Sequence, residues 1–140
     1  MGMVIGLGEF LEKVSKLRGN DKKIVALKDN DSLPLRIIMQ GIFDPKVEWL
    51  LPEGEPPYKP NEIVDQQHVL LRECEKLRYY VKGFHDNLNM NKREMMFIEL
   101  LERVDPLDAK LLIGMKDKKM IFKGITLDIV KEALPGLIVE

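Results

Sequence analysis

Apolar side chains return along most of this chain at steps of three and four, the period that lines one face of an α-helix. Phe10, Val14 and Leu17 predict an amphipathic helix from about Glu9 to Arg18. Gly19 follows as its C′ residue and Asn20 as the next N-cap. A second helix over roughly Asp21–Lys28 turns Ile24, Leu27 and Val25 inward. Asp29 to Ser32 reads as a turn, and Ser32 with Pro34 marks a helix start. The third helix then carries Leu35, Ile38, Met39 and Ile42.

From Phe43 to Leu51 the stripe is lost, and Pro52–Pro60 is a loop by its proline content. Beyond it Ile63, Gln67, Leu70, Cys74, Leu77, Val81 and Phe84 alternate steps of four and three. They predict the longest helix, about Glu62 to Phe84, as the central helix against which the others pack. The alternative is a parallel coiled-coil dimer with Gln67 setting its register. Asn91 and Glu94 form a capping-box variant that opens a helix with Met95, Ile98 and Leu101 inward. Asp105 and Pro106 start another, running to about Met115. A last helix begins at Thr126, carries Leu127, Val130 and Leu134, and stops at Pro135-Gly136. The fold class is therefore all-α: a compact bundle of about six helices, with residues 1–140 as one domain.

Composition narrows the function classes. The chain is 45% hydrophobic and 32% charged, ordinary for a globular domain. Lys and Arg number 22 against 23 acids, a net charge of −1, so nucleic-acid contact has to come from a local basic patch. Cys74 is the only cysteine, which excludes a disulfide within the chain and any multi-cysteine metal site. Its place in the apolar seam predicts a buried, inert thiol. Met1 to Gly8 is apolar without a basic n-region and too short for a signal peptide, and no apolar run reaches the ~20 residues of a membrane span. The expectation is a cytoplasmic protein that does not engage membranes.

No phosphate loop and no G-x-G-x-x-G is present. His68 and His85 lack metal-ligand spacing with a cysteine or acids. These absences predict a non-enzyme without metal or cofactor. One local feature stands out: Lys110, Lys116, Lys118, Lys119 and Lys123 face the single acid Asp117 in a segment that joins two helices. Gly124 and Ile125 lead into Thr126, where a helix start offers free N–H groups to a phosphate oxygen, and the lysines add charge without base specificity. Asn91, Lys92 and Arg93 form a second possible site of this kind. The plainer reading is that both are exposed, well-capped turns that keep the protein soluble.

Lys119 to Thr126, followed by a short helix and Leu134-Pro135-Gly136-Leu137-Ile138, resembles the end of the N-terminal DNA-binding domain of ATP-dependent DNA ligases from large tailed phages. Lys23 to Asn30, with Leu33, Leu35 and Arg36, is similar to the second helix, Lys-Asn-rich turn and third-helix start of those domains. Leu88 and Asn91 match a Leu and an Asn of a ligase loop near the DNA backbone. Met90, Lys92 and Arg93 depart from that loop, and Leu134 replaces an aromatic. The resemblance implies a helical domain gripping duplex DNA across the minor groove, mostly through phosphates. No Lys-x-Asp-Gly adenylation motif is present, so it also implies a stand-alone, non-catalytic phage module in replication, repair or recombination, acting beside a phage replication or virion protein. The alternative is a phage protein-interaction or virion-associated protein that keeps the fold without DNA binding, its apolar tails Met1 to Leu7 and Leu137 to Val139 docking a partner.

Overall fold

A computed structural model describes residues 6–63 and 66–138. Its helices are α1 (Leu7–Ser15), α2 (Asn20–Asp29), α3 (Leu33–Phe43), α4 (His68–Glu73), a 3-10 helix (Cys74–Tyr80), α5 (Met90–Arg103), α6 (Pro106–Lys116) and α7 (Leu127–Ala133). The fold is all-helical. Among the described residues the only extended pairing is one antiparallel bridge, Trp49 to Val81.

Three helices begin where their capping residues predict. Ser32 Oγ accepts from Leu35 N–H at 3.4 Å, an Asp105 carboxylate oxygen from Leu107 N–H at 3.0 Å, and Thr126 Oγ1 from Ile129 N–H at 3.5 Å. Each satisfies one of the donors that a helix start leaves orphaned. Two other starts are displaced by one or two residues. The N-cap of α2 is Gly19, at φ 92°, with Asn20 already helical. The N-cap of α5 is Asn89, whose side chain accepts from Asn91 N–H at 2.8 Å, so Asn91 is capped rather than capping.

The long central helix is corrected. No helix spans Glu62 to Phe84: α4 begins at His68, and after Glu73 the chain tightens into the 3-10 helix. There Cys74, Leu77 and Tyr80 recur every three residues and are all buried, as eclipsed i and i+3 positions require. Val81 then turns extended to pair with Trp49, with Leu50 N–H donating to Tyr80 O at 2.7 Å and Lys82 N–H to Glu48 O at 2.9 Å. The ends of the expected seam, Ile63 and Phe84, are 67% and 61% exposed, while its middle, Leu70, Cys74 and Leu77, is buried in the chain's own core; without a continuous helix or a free seam the coiled-coil reading goes too.

The helix at the centre is α6 instead. Its Ala109, Leu111, Leu112 and Met115 are fully buried, and α1, α3 and α5 pack on it while α2 packs on α7. The inward face of α5 is Phe97, Leu100 and Leu101; Met95, expected inside, is exposed, as is Val25 of α2. Leu17 lies beyond the end of α1 and is also exposed. Leu7 and Ile138 are core residues, so these ends of the apolar tails are not free docking surface. Met1 to Ile5 and Val139 lie outside the described residues.

Candidate nucleic-acid interface

The lysines of the α6–α7 segment divide into two kinds. Lys116 closes α6 with its ammonium inside the protein, donating to Pro52 O at 2.9 Å, Gly54 O at 2.6 Å and Asp117 Oδ1 at 2.8 Å. An ammonium has three donors, and all three are used. Asp117 in turn accepts from Gly54 N–H, so this pair fastens the Pro-rich loop to the bundle. Lys118 adopts a left-handed backbone at φ 60° and donates to Asp44 O at 2.6 Å. Burial pulls its ammonium below its ordinary range. Lys116 is closed to a phosphate, and Lys118 is half-buried and tied to a backbone carbonyl.

Lys119 and Lys123 are exposed, and neither ammonium has a hydrogen bond or ion pair among the described residues. Between them the chain folds back on α6: Lys119 N–H donates to Gly114 O at 2.8 Å. A side chain on Gly114 would collide with Ile121 at 2.6 Å. Phe122 and Ile125 are buried in the core and anchor the turn that exposes Lys123. Ile125 is therefore a support, not a contact residue.

Gly124 stands at φ 91°, which glycine adopts without steric cost. Its carbonyl accepts from Lys23 Nζ at 3.2 Å, and a Cβ there would lie 2.5 Å from that ammonium. Lys23 was not a predicted member of the site. Its contact joins residues at opposite ends of the chain, and the only trace of it in the sequence is a lysine on the inner face of an otherwise polar helix. Thr126 is an exposed cap spending its hydroxyl on its own helix.

The second predicted cluster separates in the same way. Arg93 is 2% exposed, its guanidinium donating to Tyr79 O at 3.1 Å and His85 O at 2.9 Å. It ties α5 to the chain that precedes it and is structural. Asn91 and Lys92 are exposed. The short α5–α6 connection makes these helices an antiparallel hairpin. The start of α5 and the end of α6 therefore share one end of the molecule, with the Pro-rich loop between them; Glu94, Phe97, Ile98 and Lys116 line a cavity of ≈ 330 Å³ with residues 51–57 of that loop.

A family profile matches residues 10–121, most of the chain. The chain belongs to DUF6433, a family of unknown function. The DUF6433 match begins within α1, takes in α2 to α6 and Lys116, Lys118 and Lys119, and ends short of Lys123. No curated protein matches this DUF6433 chain. Among its described residues no group of three His, Cys, Asp or Glu side chains could hold a metal ion, and no helix is long and apolar enough to cross a membrane.

Proposed function

We propose that this DUF6433 chain is a non-catalytic phage module that binds duplex DNA through its phosphates, without sequence specificity, in replication, repair or recombination. The observation that carries the reading is the contrast within one segment. Lys116 and Lys118 are consumed by the protein's own carbonyls, while Lys119 and Lys123 are left exposed and unpaired beside a capped helix start. Lys92, at the same end of the α5–α6 hairpin, adds a third exposed cation unpaired among the described residues. The resemblance to the ligase DNA-binding domain supports the choice of duplex DNA as the polyanion.

Three neutralised phosphates give a slope of log affinity against log salt of about −2.7, nearly independent of sequence. Lys119→Ala with Lys123→Ala flattens it by about two and weakens all duplexes alike. A protein that fails to shift nicked or intact duplex at low salt sinks the reading. The protein-docking alternative has one observation in its favour: Phe84, Met90 and Met95 are each 61–62% exposed around the start of α5. It is favoured if duplex binding is absent and polar replacements at these three positions raise solubility without changing stability.

A further inference from the structure

The residues that bracket the α1–α2 turn both reach Gly124. Ser15 ends α1, and its carbonyl oxygen lies 3.8 Å from where a Gly124 Cβ would stand. Lys23, on α2, donates to the Gly124 carbonyl at 3.2 Å. The chain between them, residues 16–22, is therefore held against the Lys123–Gly124 turn at both ends. Every residue from Lys16 to Lys22 is exposed. Arg18 and Lys22 have neither ion pair nor side-chain hydrogen bond among the described residues. Lys16 is paired only loosely, with Glu12 at 3.9 Å across two exposed side chains.

We propose that the α1–α2 turn and the Lys123–Thr126 turn form one phosphate-binding face, on which Arg18 and Lys22 contact the same DNA backbone as Lys123. This rests on the duplex-binding reading above and names the second half of its site. The two turns are far apart in sequence, yet the Ser15 and Lys23 contacts hold their backbones together at Gly124. Lys16, Arg18 and Lys22 lie exposed on the stretch so held, and the Gly124 carbonyl that would repel a phosphate is covered by the Lys23 ammonium. The acids on the margin are Asp21, Glu12 and Asp128. Of these, Asp21 folds back over its own helix start, its Oδ1 2.8 Å from where a Gly19 Cβ would stand, and Glu12 sits beside Lys16. Each of these cations that meets a phosphate releases a counterion condensed on the DNA, the source of salt-dependent binding.

The test compares two double variants of the full chain by fluorescence anisotropy, with nicked and intact duplex over a salt series. With Arg18 and Lys22 added to Lys92, Lys119 and Lys123, five neutralised phosphates steepen the wild-type slope to about −4.5; Arg18→Ala with Lys22→Ala is then expected to flatten it by about two, as much as Lys119→Ala with Lys123→Ala, with unchanged thermal melts. If the wild type binds and only the Lys119/Lys123 pair flattens the slope, the shared face is wrong and the DNA reading stands. If only the Arg18/Lys22 pair flattens it, the shared face is again wrong, because Lys123 is not on it. If the wild type does not bind duplex at low salt, both fall. Should a variant melt early, amide shifts in the wild type decide: Gly19–Lys23 and Lys123–Thr126 move with one midpoint on duplex titration if the face is shared, and Gly19–Lys23 stay put if it is not.

Discussion

The Pro-rich loop and the α6–α7 turn each meet the lysine-rich segment that ends α6, and they treat its cations oppositely. At the loop, Lys116 is enclosed and its three donors are bound to two carbonyls and a carboxylate. At the turn, Lys119 and Lys123 are exposed, with nothing among the described residues bound to their ammonium groups. Local sequence does not separate the two kinds, since all are lysines in one basic stretch. What separates them is whether the backbone brought alongside has carbonyls in need of donors. A buried polar group belongs to the fold's own hydrogen bonding, and only a group the fold has not used is available to a ligand.

The strongest way to break that contrast is to remove a spent cation. Lys116→Ala leaves two carbonyls and Asp117 without their donor, and is expected to cost about 3–5 kcal/mol in denaturant unfolding. A loss under about 1 kcal/mol, within the range of an exposed pair, would show that the ammonium does not hold the loop.

Asp108 tests the opposite case, a buried polar group only half satisfied. Its Oδ1 accepts from Gly8 N–H at 2.7 Å, fixing the start of α1, while Oδ2 is buried without a partner among the described residues. Burial raises its pKa from 3.8 to about 7; the Gly8 N–H opposes the rise, and Asp105 and Glu9 add to it. The native state thus keeps a proton that the unfolded chain releases, so stability falls as pH rises from about 4 to about 7 and is level above that. Asp108→Asn should remove this fall and gain about 2 kcal/mol at pH 8, the shift setting a ceiling of about 4 kcal/mol and the new buried amide donor subtracting from it. An unchanged pH profile would show that Asp108 is not the group responsible.

A smaller effect is expected at Cys74. Its thiol is buried, and burial pushes its pKa up, so it should resist labelling in the native state. Cys74→Ala should cost about 1–2 kcal/mol. Rapid labelling without unfolding would contradict this. The smallest change belongs to the free cations: Lys119→Ala with Lys123→Ala should leave stability within about 0.5 kcal/mol, while altering any duplex binding.

Much of the fold was legible where local chemistry decides it. Ser32, Asp105 and Thr126 cap the helices they announce, because a cap is a bond between near neighbours. The stretch from Glu62 to Phe84 was misread because its apolar spacing also contains the three-residue repeat Cys74, Leu77, Tyr80, which suits a 3-10 helix. Its departure at Val81 depends on Trp49, beyond the proline loop. Met95 reads inward from a plausible stripe, yet Phe97, Leu100 and Leu101 are the buried positions, with Phe97 edge-on to Tyr80 of the 3-10 helix, and they set the rotation of α5. In the candidate site, Lys119 and Lys123 were identifiable as exposed cations. The burial of Lys116 and Arg93, and the contact of Lys23 with Gly124, depend on partners far along the chain.

The packing of α2 on α7 also governs the order of assembly. These helices lie near opposite ends of the chain, so their contact closes almost the longest loop the polypeptide can form. Such closure is entropically slow, and a topology rich in distant contacts folds later than one built from neighbours. The α5–α6 hairpin, joined by a short turn, has no such delay. A chain cut before Thr126 would keep that hairpin and lose the clasp, leaving Leu27 without α7 to cover it and the Lys23 ammonium with a carbonyl no longer held in place.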